Sequence, residues 1–386
     1  MKLAFHLAYK NLTGAGLRTW LNVGVLAFAF LMIIFFNSLL QGWNEQARRD
    51  SIAWEFGHGQ LRHTDYDPYD PFSIADSHGI PPSAAATDGA EILLRQASIY
   101  PDGRMISLLL TGIEPEQTVL QIPTASLRST TAEIPVVIGE STAKSAKLKV
   151  GDTVLLRWRD KNGTFDAADV VINEVFQTDV PTADKGKMYI SLPRLREMTG
   201  LAQEVTFVTV NADYTDTAAE GWVFKSQEDL LRNITEIIET KKASSSILYI
   251  LLLFIALLAV FDTQVLSVFR RQREIGSYIA LGMTRSQVVR LFTVEGSMYS
   301  IFAVVIGLLI GIPLFAYLSS NGISLPQANA QDMGVAIADV IYPSVGFKLL
   351  LGTLLLVVLS ATAVSFMPAR KIAKMKPTDA LKGKIQ

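Results

Sequence analysis

The sequence predicts an α-helical membrane protein with four transmembrane helices and a mixed α/β extracytoplasmic, periplasmic domain inserted between helices 1 and 2. Three observations predict it. Four apolar runs have membrane-spanning length, residues 42–245 between the first two have ordinary soluble composition, and the Lys and Arg residues of the short connections fall on one side. The chain has 386 residues, 49% of them apolar, and a net charge of −1. Near neutrality leaves no whole-chain argument for nucleic acid. With no cysteine in the chain, disulfides, thiolate catalysis and zinc–sulfur sites are excluded, so the soluble domain must rest on its own core.

The apolar runs are residues 21–40, 247–268, 298–318 and 349–367. Each is about 20 residues, which at 1.5 Å per residue matches a hydrocarbon core of roughly 30 Å. The first follows Lys2, Lys10 and Arg18, but it is too long for a signal-peptide core and is expected to be an uncleaved anchor, despite Ala27-Phe28-Ala29. Cations are retained on the cytoplasmic side. They are Lys2, Lys10 and Arg18 before the first span; Arg270, Arg271, Arg273, Arg285 and Arg290 between the second and third; and Arg370, Lys371, Lys374 and Lys376 after the fourth. Residues 319–347 hold no Lys or Arg, as an outside loop requires. The predicted layout is 1–41 for a cytoplasmic N-terminus and the first span, 42–245 for the periplasmic domain with stalk helices, and 246–268 for the second span. Residues 269–296 are a cytoplasmic coupling hairpin, 297–318 the third span, 319–347 a periplasmic loop, 348–367 the fourth span and 368–386 a cytoplasmic tail.

Within 42–245, Leu230, Leu231, Ile234, Ile237 and Ile238 recur at helical spacing among Glu228, Arg232, Glu236 and Glu239, predicting an amphipathic stalk before the second span. Trp43, Ala47 and Trp54 suggest a weaker one after the first. Residues 107–110, 134–138, 153–158, 168–176, 188–191 and 205–210 read as strands, with Asp102-Gly103 and Asn162-Gly163 as hairpin turns. Residues 141–148 and 192–199 read as short helices, and 66–82, with four prolines, as a loop.

His58, His63 and His78 stand near Asp65, Asp67, Asp70 and Asp76, but their spacing is no ligand pattern, and a solvated loop is expected rather than a metal site. Asp262 is the ionisable residue deep in the second span, either snorkelling near the cytoplasmic interface or making a polar contact in the bundle or at a dimer seam. Gly307 and Gly311 form a small-xxx-small face that permits close helix packing, and Pro313 is placed to kink the same helix. The chain holds no P-loop, Gly-x-Ser-x-Gly elbow or His-Glu-x-x-His helix, so it is read as a non-catalytic protein without a cofactor of its own.

The connection 268–296 is short, charged and partly apolar. Ile275, Ile279, Val288, Leu291 and Phe292 offer apolar contacts, Gly282 ends one helix, and Thr284 begins another. Physically it is an amphipathic hairpin, facing lipid or docked on a partner. Arg273-Glu274-Ile275-Gly276, then Ala280-Leu281-Gly282 and Glu295-Gly296, resemble the signature of FtsX/MacB-superfamily permeases of ABC transporters. So do Met367-Pro368-Ala369-Arg370, Pro377-Thr378-Asp379-Ala380-Leu381, and Val137-Ile138-Gly139-Glu140 followed by Leu148-Lys149-Val150-Gly151-Asp152. Gln41-Gly42 and Gly57-His58-Gly59-Gln60-Leu61 are most similar to Lol-type lipoprotein-releasing permeases, whereas Asp262 departs from the smaller neutral residue usual there.

The resemblance implies a bacterial inner-membrane permease with both termini cytoplasmic, paired with a second permease chain, identical or related. Two copies of a separate ABC ATPase would bind ATP and Mg, and Arg273, Glu274, Ile275, Gly276, Leu281 and Gly282 would form the docking element. It implies work on a substrate already outside, such as a lipoprotein passed to a periplasmic chaperone or adaptor. MacB-type efflux of small molecules or peptides, and FtsX-like regulation of cell-wall hydrolases, are the alternatives it leaves open.

Overall fold

The computed structural model describes residues 16–83, 85, 89–128, 133–214, 219–324 and 340–374. Lys2, Lys10, Lys376, most of the outer loop and Pro377 to Leu381 lie outside the described residues, as do the side chains of Arg18 and Lys374. In chain order the elements are α1 (Gly16–Ser51), β1 (Gly59–His63), β2 (Ala90–Ile99), β3 (Ile106–Ile113), β4 (Ile134–Gly139), α2 (Glu140–Ala146), β5 (Thr153–Arg159) and β6 (Phe165–Phe176). There follow β7 (Lys187–Ser191), α3 (Leu192–Thr199), β8 (Phe207–Thr209), β9 (Trp222–Ser226), α4 (Gln227–Arg270), α5 (Gln272–Ala280), α6 (Arg285–Asn321) and α7 (Phe347–Ala369). The chain divides into a helical unit of residues 1–43, 238–323 and 341–386, and a sheet unit of 44–237 and 324–340.

In the helical unit, α1, α4, α6 and α7 are long and apolar enough to cross a membrane, and each contains one of the predicted apolar runs. An apolar run of this length forms a helix because hydrocarbon offers no partner for backbone N–H and C=O groups. Phe30, Val260, Ala303, Val357 and Ala361 are buried at the centre. A Cβ on Gly307 would lie 2.6 Å from the Phe30 ring and one on Gly311 2.8 Å from Leu31, so the two glycines let α6 close on α1. A cavity of about 300 Å³ opens beside them, lined by Ile34, Phe315, Val345 and Leu350 among others. The Gln41-Gly42 pair has a similar reason: a Cβ on Gly42 would lie 2.0 Å from the Tyr342 carbonyl oxygen. The chain entering α7 is thereby laid along α1, where Ser344 N–H donates to the Ser38 carbonyl at 2.9 Å.

In the sheet unit, the nine strands follow the order β3-β7-β4-β6-β5-β2-β8-β1-β9, and β3 also pairs with β2. That extra pairing closes β2, β3, β7, β4, β6 and β5 into a barrel and leaves β8, β1 and β9 as a flange. Closure removes the exposed edges of the six strands. Inward-facing Leu93, Ile99, Leu110, Val136, Ile138, Leu156, Val170, Ile172 and Met188 fill the barrel. A second apolar layer outside it holds Ile92, Leu94, Ile113, Val137, Phe176 and Tyr189 against Leu120, Ile122 and Leu127. Trp54, on the π-type turn after α1, stacks on Phe176 at 5.4 Å. Because β1 and β9 are antiparallel neighbours, the chain enters from α1 and leaves into α4 at adjacent strands. In the predicted stalk, Leu231 and Ile238 are buried while Arg232, Glu236 and Glu239 face out.

Asp102-Gly103 and Asn162-Gly163 turn β2 into β3 and β5 into β6, as predicted. The proline-rich stretch is not wholly loop: Asp70 Oδ1 accepts from Phe72 N–H at 2.9 Å and caps a 3-10 turn, Pro71–Ala75. Three strands of this sheet, β1, β2 and β9, lie outside the segments read as strands from the sequence.

The Val-Ile-Gly-Glu segment has a specific physical basis. The buried carboxylate of Asp184 accepts from Ser141 N–H at 2.9 and 3.0 Å and from Thr142 N–H at 3.3 Å, capping α2 from a distant turn. A Cβ on Gly139 would fall 2.0 Å from Asp184 Oδ1, so only glycine admits the cap. Asp184→Ala strands two buried N–H groups and is expected to cost about 2 kcal/mol, the upper part of the range for helix caps. Thermal denaturation of the purified full-length protein, compared with Asp152→Ala at an exposed turn, checks this.

Candidate functional site

The hairpin between the second and third spans is built from four local causes. Arg271, with φ −103° and ψ 21°, breaks α4 and starts α5 in a new direction. Gly282, at φ +96°, takes a backbone conformation that side-chain-bearing residues avoid and ends the turn after α5. Thr284 then caps α6 in a reciprocal box: Gln287 N–H donates to Thr284 Oγ1 at 3.3 Å and Thr284 N–H to Gln287 Oε1 at 2.8 Å. Finally, Ile275 is fully buried with Val268, Val288, Val289, Phe292, Ala369 and Ile372, and Tyr278, Ile279 and Met283 pack at the margin.

An ion pair fixes the hairpin at its root. Arg271 Nη1 donates to both Glu295 carboxylate oxygens, at 2.7 and 2.9 Å, and its Nε donates to Glu274 Oε2 at 2.7 Å. The guanidinium also lies over the Phe292 ring, 4.9 Å from its centroid. Glu295 is 8% exposed, so its charge is desolvated, and Arg271 helps hold it in register. Opposite charges 24 residues apart carry no sequence signature, and this pair was not among the residues predicted for the site.

The predicted docking residues separate into two groups. Arg273, Glu274, Leu281 and Gly282 are exposed, Leu281 at 84%. Ile275 and Gly276 are buried inside the chain. The physical reason is periodicity: on α5 the residues at 275, 278 and 279 share the face turned to α6 and α7, and 273, 277, 280 and 281 the other. Likewise Val288 and Phe292 pack within the chain rather than toward lipid or a partner.

Asp262 is exposed on α4, on the stripe of Leu251, Ile255 and Leu258, and not inside this chain's bundle. The polar stitch between α1 and α4 is instead made by Asn22, whose Nδ2 donates to the Ala259 carbonyl at 3.3 Å and to Thr263 Oγ1. The three histidines sit in different surroundings. His63 meets Trp222 edge-on at 5.6 Å, His78 Nδ1 contacts Glu204 and His58 is exposed. Among the described residues no three His, Cys, Asp or Glu side chains come together as a metal site.

Residues 246–377, which contain the apolar part of α4, the hairpin, α6 and α7, match the family described as FtsX-like permease C-terminal. An uncharacterized ABC transporter permease of Methanocaldococcus jannaschii is similar at 26% identity over 131 residues, 34% of this chain and 30% of that protein. The chain therefore aligns with under a third of its relative's length. The hairpin geometry, the helices apolar enough to cross a membrane and these similarities agree: the C-terminal part of this chain is similar to the C-terminal domain of FtsX-like permeases.

Proposed function

We propose that this chain is the permease subunit of an ABC transporter whose hairpin docks a separate cytoplasmic ATPase. Leu281 carries the reading. It is 84% exposed, against 37% for Phe269 at the start of the hairpin, while the other large apolar side chains there are buried or half-buried, and an apolar knob on a rigid mount suits a pocket on a partner protein. Arg273 and Glu274 flank it on the same exposed side and supply orientation. ATP would shift the population of span arrangements through this contact, and the helical ends bearing β1 and β9 would carry the shift to the barrel. A second permease chain, identical or related, completes the transporter in this reading.

For the cargo we infer a lipid-anchored protein taken from the outer leaflet of a bacterial inner membrane. The resemblance of Gln41-Gly42 and Gly57 to Leu61 to lipoprotein-releasing permeases supports it. Each buried methylene anchors such a cargo by roughly 0.8 kcal/mol, so release needs an energy source.

Leu281→Asp is the direct test, because this side chain takes no part in the chain's own core. Gly282 is a poorer choice, since any side chain at φ +96° strains the turn itself. Wild-type protein isolated from native membranes is expected to carry a nucleotide-hydrolysing subunit and lipidated cargo, and Leu281→Asp to lose the ATPase while inserting normally. A variant that retains full ATPase association refutes the docking role.

A further inference from the structure

On the sheet unit, a groove of about 810 Å³ runs between the segment 66–75 and the outer face of β2, β3, β5 and β6. Its walls are set before any ligand arrives. Arg95 Nη1 donates to the Ile74 and Ala75 carbonyls at 3.3 and 2.8 Å, and Gln96 Nε2 donates to the Pro71 carbonyl at 2.7 Å. Three of its lining residues are large apolar side chains left in solvent: Phe72 at 82%, Met105 at 63% and Phe165 at 50% exposure. Leaving such groups exposed around one concavity is unfavourable for a solitary domain and marks a contact surface.

The charged side chains that line the groove are both arginines, although Asp67 and Asp70 stand in the segment beside it. Arg159 stands opposite Phe165 across β5 and β6, and Arg157 lies two residues away on the same face. Their guanidinium carbons sit 4.3 and 3.8 Å from the Phe165 ring centroid. Arg157 reaches Tyr100 Oη at 3.4 Å. Neither arginine is in an ion pair among the described residues. Stacking fixes the planes of the guanidiniums and leaves N–H edges for an anion.

The geometry points to this groove as the docking site for an acidic, apolar-rich peptide segment of a partner protein. Carboxylates would meet Arg157 and Arg159 while apolar side chains cover Phe72, Met105 and Phe165. The floor favours a peptide over an acyl chain. Ser98 and Ser107 face the groove as a cross-strand pair, and an alkyl chain would strand their hydroxyls, whereas a peptide backbone satisfies them. The inference is independent of the ATPase reading, because it concerns another surface and needs no nucleotide.

The test uses the full chain in nanodiscs without nucleotide, titrated into a fluorescein-labelled nonapeptide of alternating aspartate and leucine with one central phenylalanine. The control peptide carries asparagine at each aspartate. The acidic probe is expected to bind about tenfold more tightly than its amide counterpart, as charge-assisted contacts predict. Arg157→Gln with Arg159→Gln, at two exposed positions, should abolish that preference without altering the melting curve, and Phe72→Ser should weaken both probes. Failure of the acidic probe to bind, equal binding of the two probes, or a preference that survives the double substitution overturns the proposal. So does displacement of the acidic probe by soluble dihexanoyl phosphatidylglycerol at lower concentration, which assigns the groove to a lipid headgroup.

Discussion

Gly296→Val is expected to prevent recovery of folded protein from the membrane, and Gly296→Ala to lower its stability by about 1–3 kcal/mol, the usual cost of overpacking a filled site. The cause is a point at which three helices meet. A Cβ on Gly296 of α6 would lie 2.4 Å from both Cβ and Oγ of Ser365 on α7 and 3.0 Å from Cδ of Gln264 on α4. Non-bonded carbon atoms rest at about 3.5–4.0 Å, so one methyl group forces a helix to move. Valine adds two further carbons where none fit, and a membrane bundle held by close backbone approach has no solvent-driven term to offset the loss.

The same contact supplies its own control. Ser365 is fully buried and its Oγ has no hydrogen-bond partner among the described residues, so Ser365→Gly removes the clashing atoms without breaking a bond seen there. The pair Gly296→Ala with Ser365→Gly is therefore expected to regain most of the stability lost by Gly296→Ala alone. Thermal denaturation in detergent of the two single variants and the double variant measures the coupling. Additive losses, or a Gly296→Val protein that melts like the wild type, would show that α4, α6 and α7 do not converge there.

The spans were legible because hydrocarbon imposes a length and a composition that no soluble element needs. The stalk before the second span was equally plain, since its apolar residues repeat at helical spacing. Strands with alternating or β-branched sequence, such as Thr153–Arg159, could be read, but Ala90–Ile99 could not. Its Ala-Glu-Ile-Leu-Leu-Arg-Gln run consists of good helix formers, and burial of both its faces, one in the barrel and one under the outer layer, overrides that preference. Barrel closure was illegible for a related reason, because it rests on β2 pairing with β3 on one side and β5 on the other, a register that no local segment specifies. In the site, Gly282 and Thr284 announced the turn through their backbone chemistry. Ile275 was recognisable as an apolar contact, yet whether it faced a partner or its own chain depended on where α7 ends, which only the fold decides.

Arg271→Met is the second large effect, and it separates holding the hairpin from docking it. Methionine keeps the contact with Phe292 but removes both hydrogen bonds that Arg271 gives the buried Glu295 carboxylate, and breaking one side of such a pair costs up to about 3–5 kcal/mol. Glu295→Gln should cost less, since Arg271 keeps its bond to Glu274. Glu274→Gln should cost under about 1 kcal/mol, because that carboxylate is largely exposed. Hydrogen exchange across residues 272–283 is expected to follow this order, and exchanging the charges through Arg271→Glu with Glu295→Arg should restore part of the protection. A flat response across the three single variants would remove the ion pair from its role. Where Leu281→Asp abolishes ATPase association, Arg271→Met should retain much of it while uncoupling nucleotide hydrolysis from transport, because the exposed tip survives but its mount no longer transmits force to α6. Equal loss of association in both variants would mean that the pair shapes the docking surface itself rather than the linkage behind it.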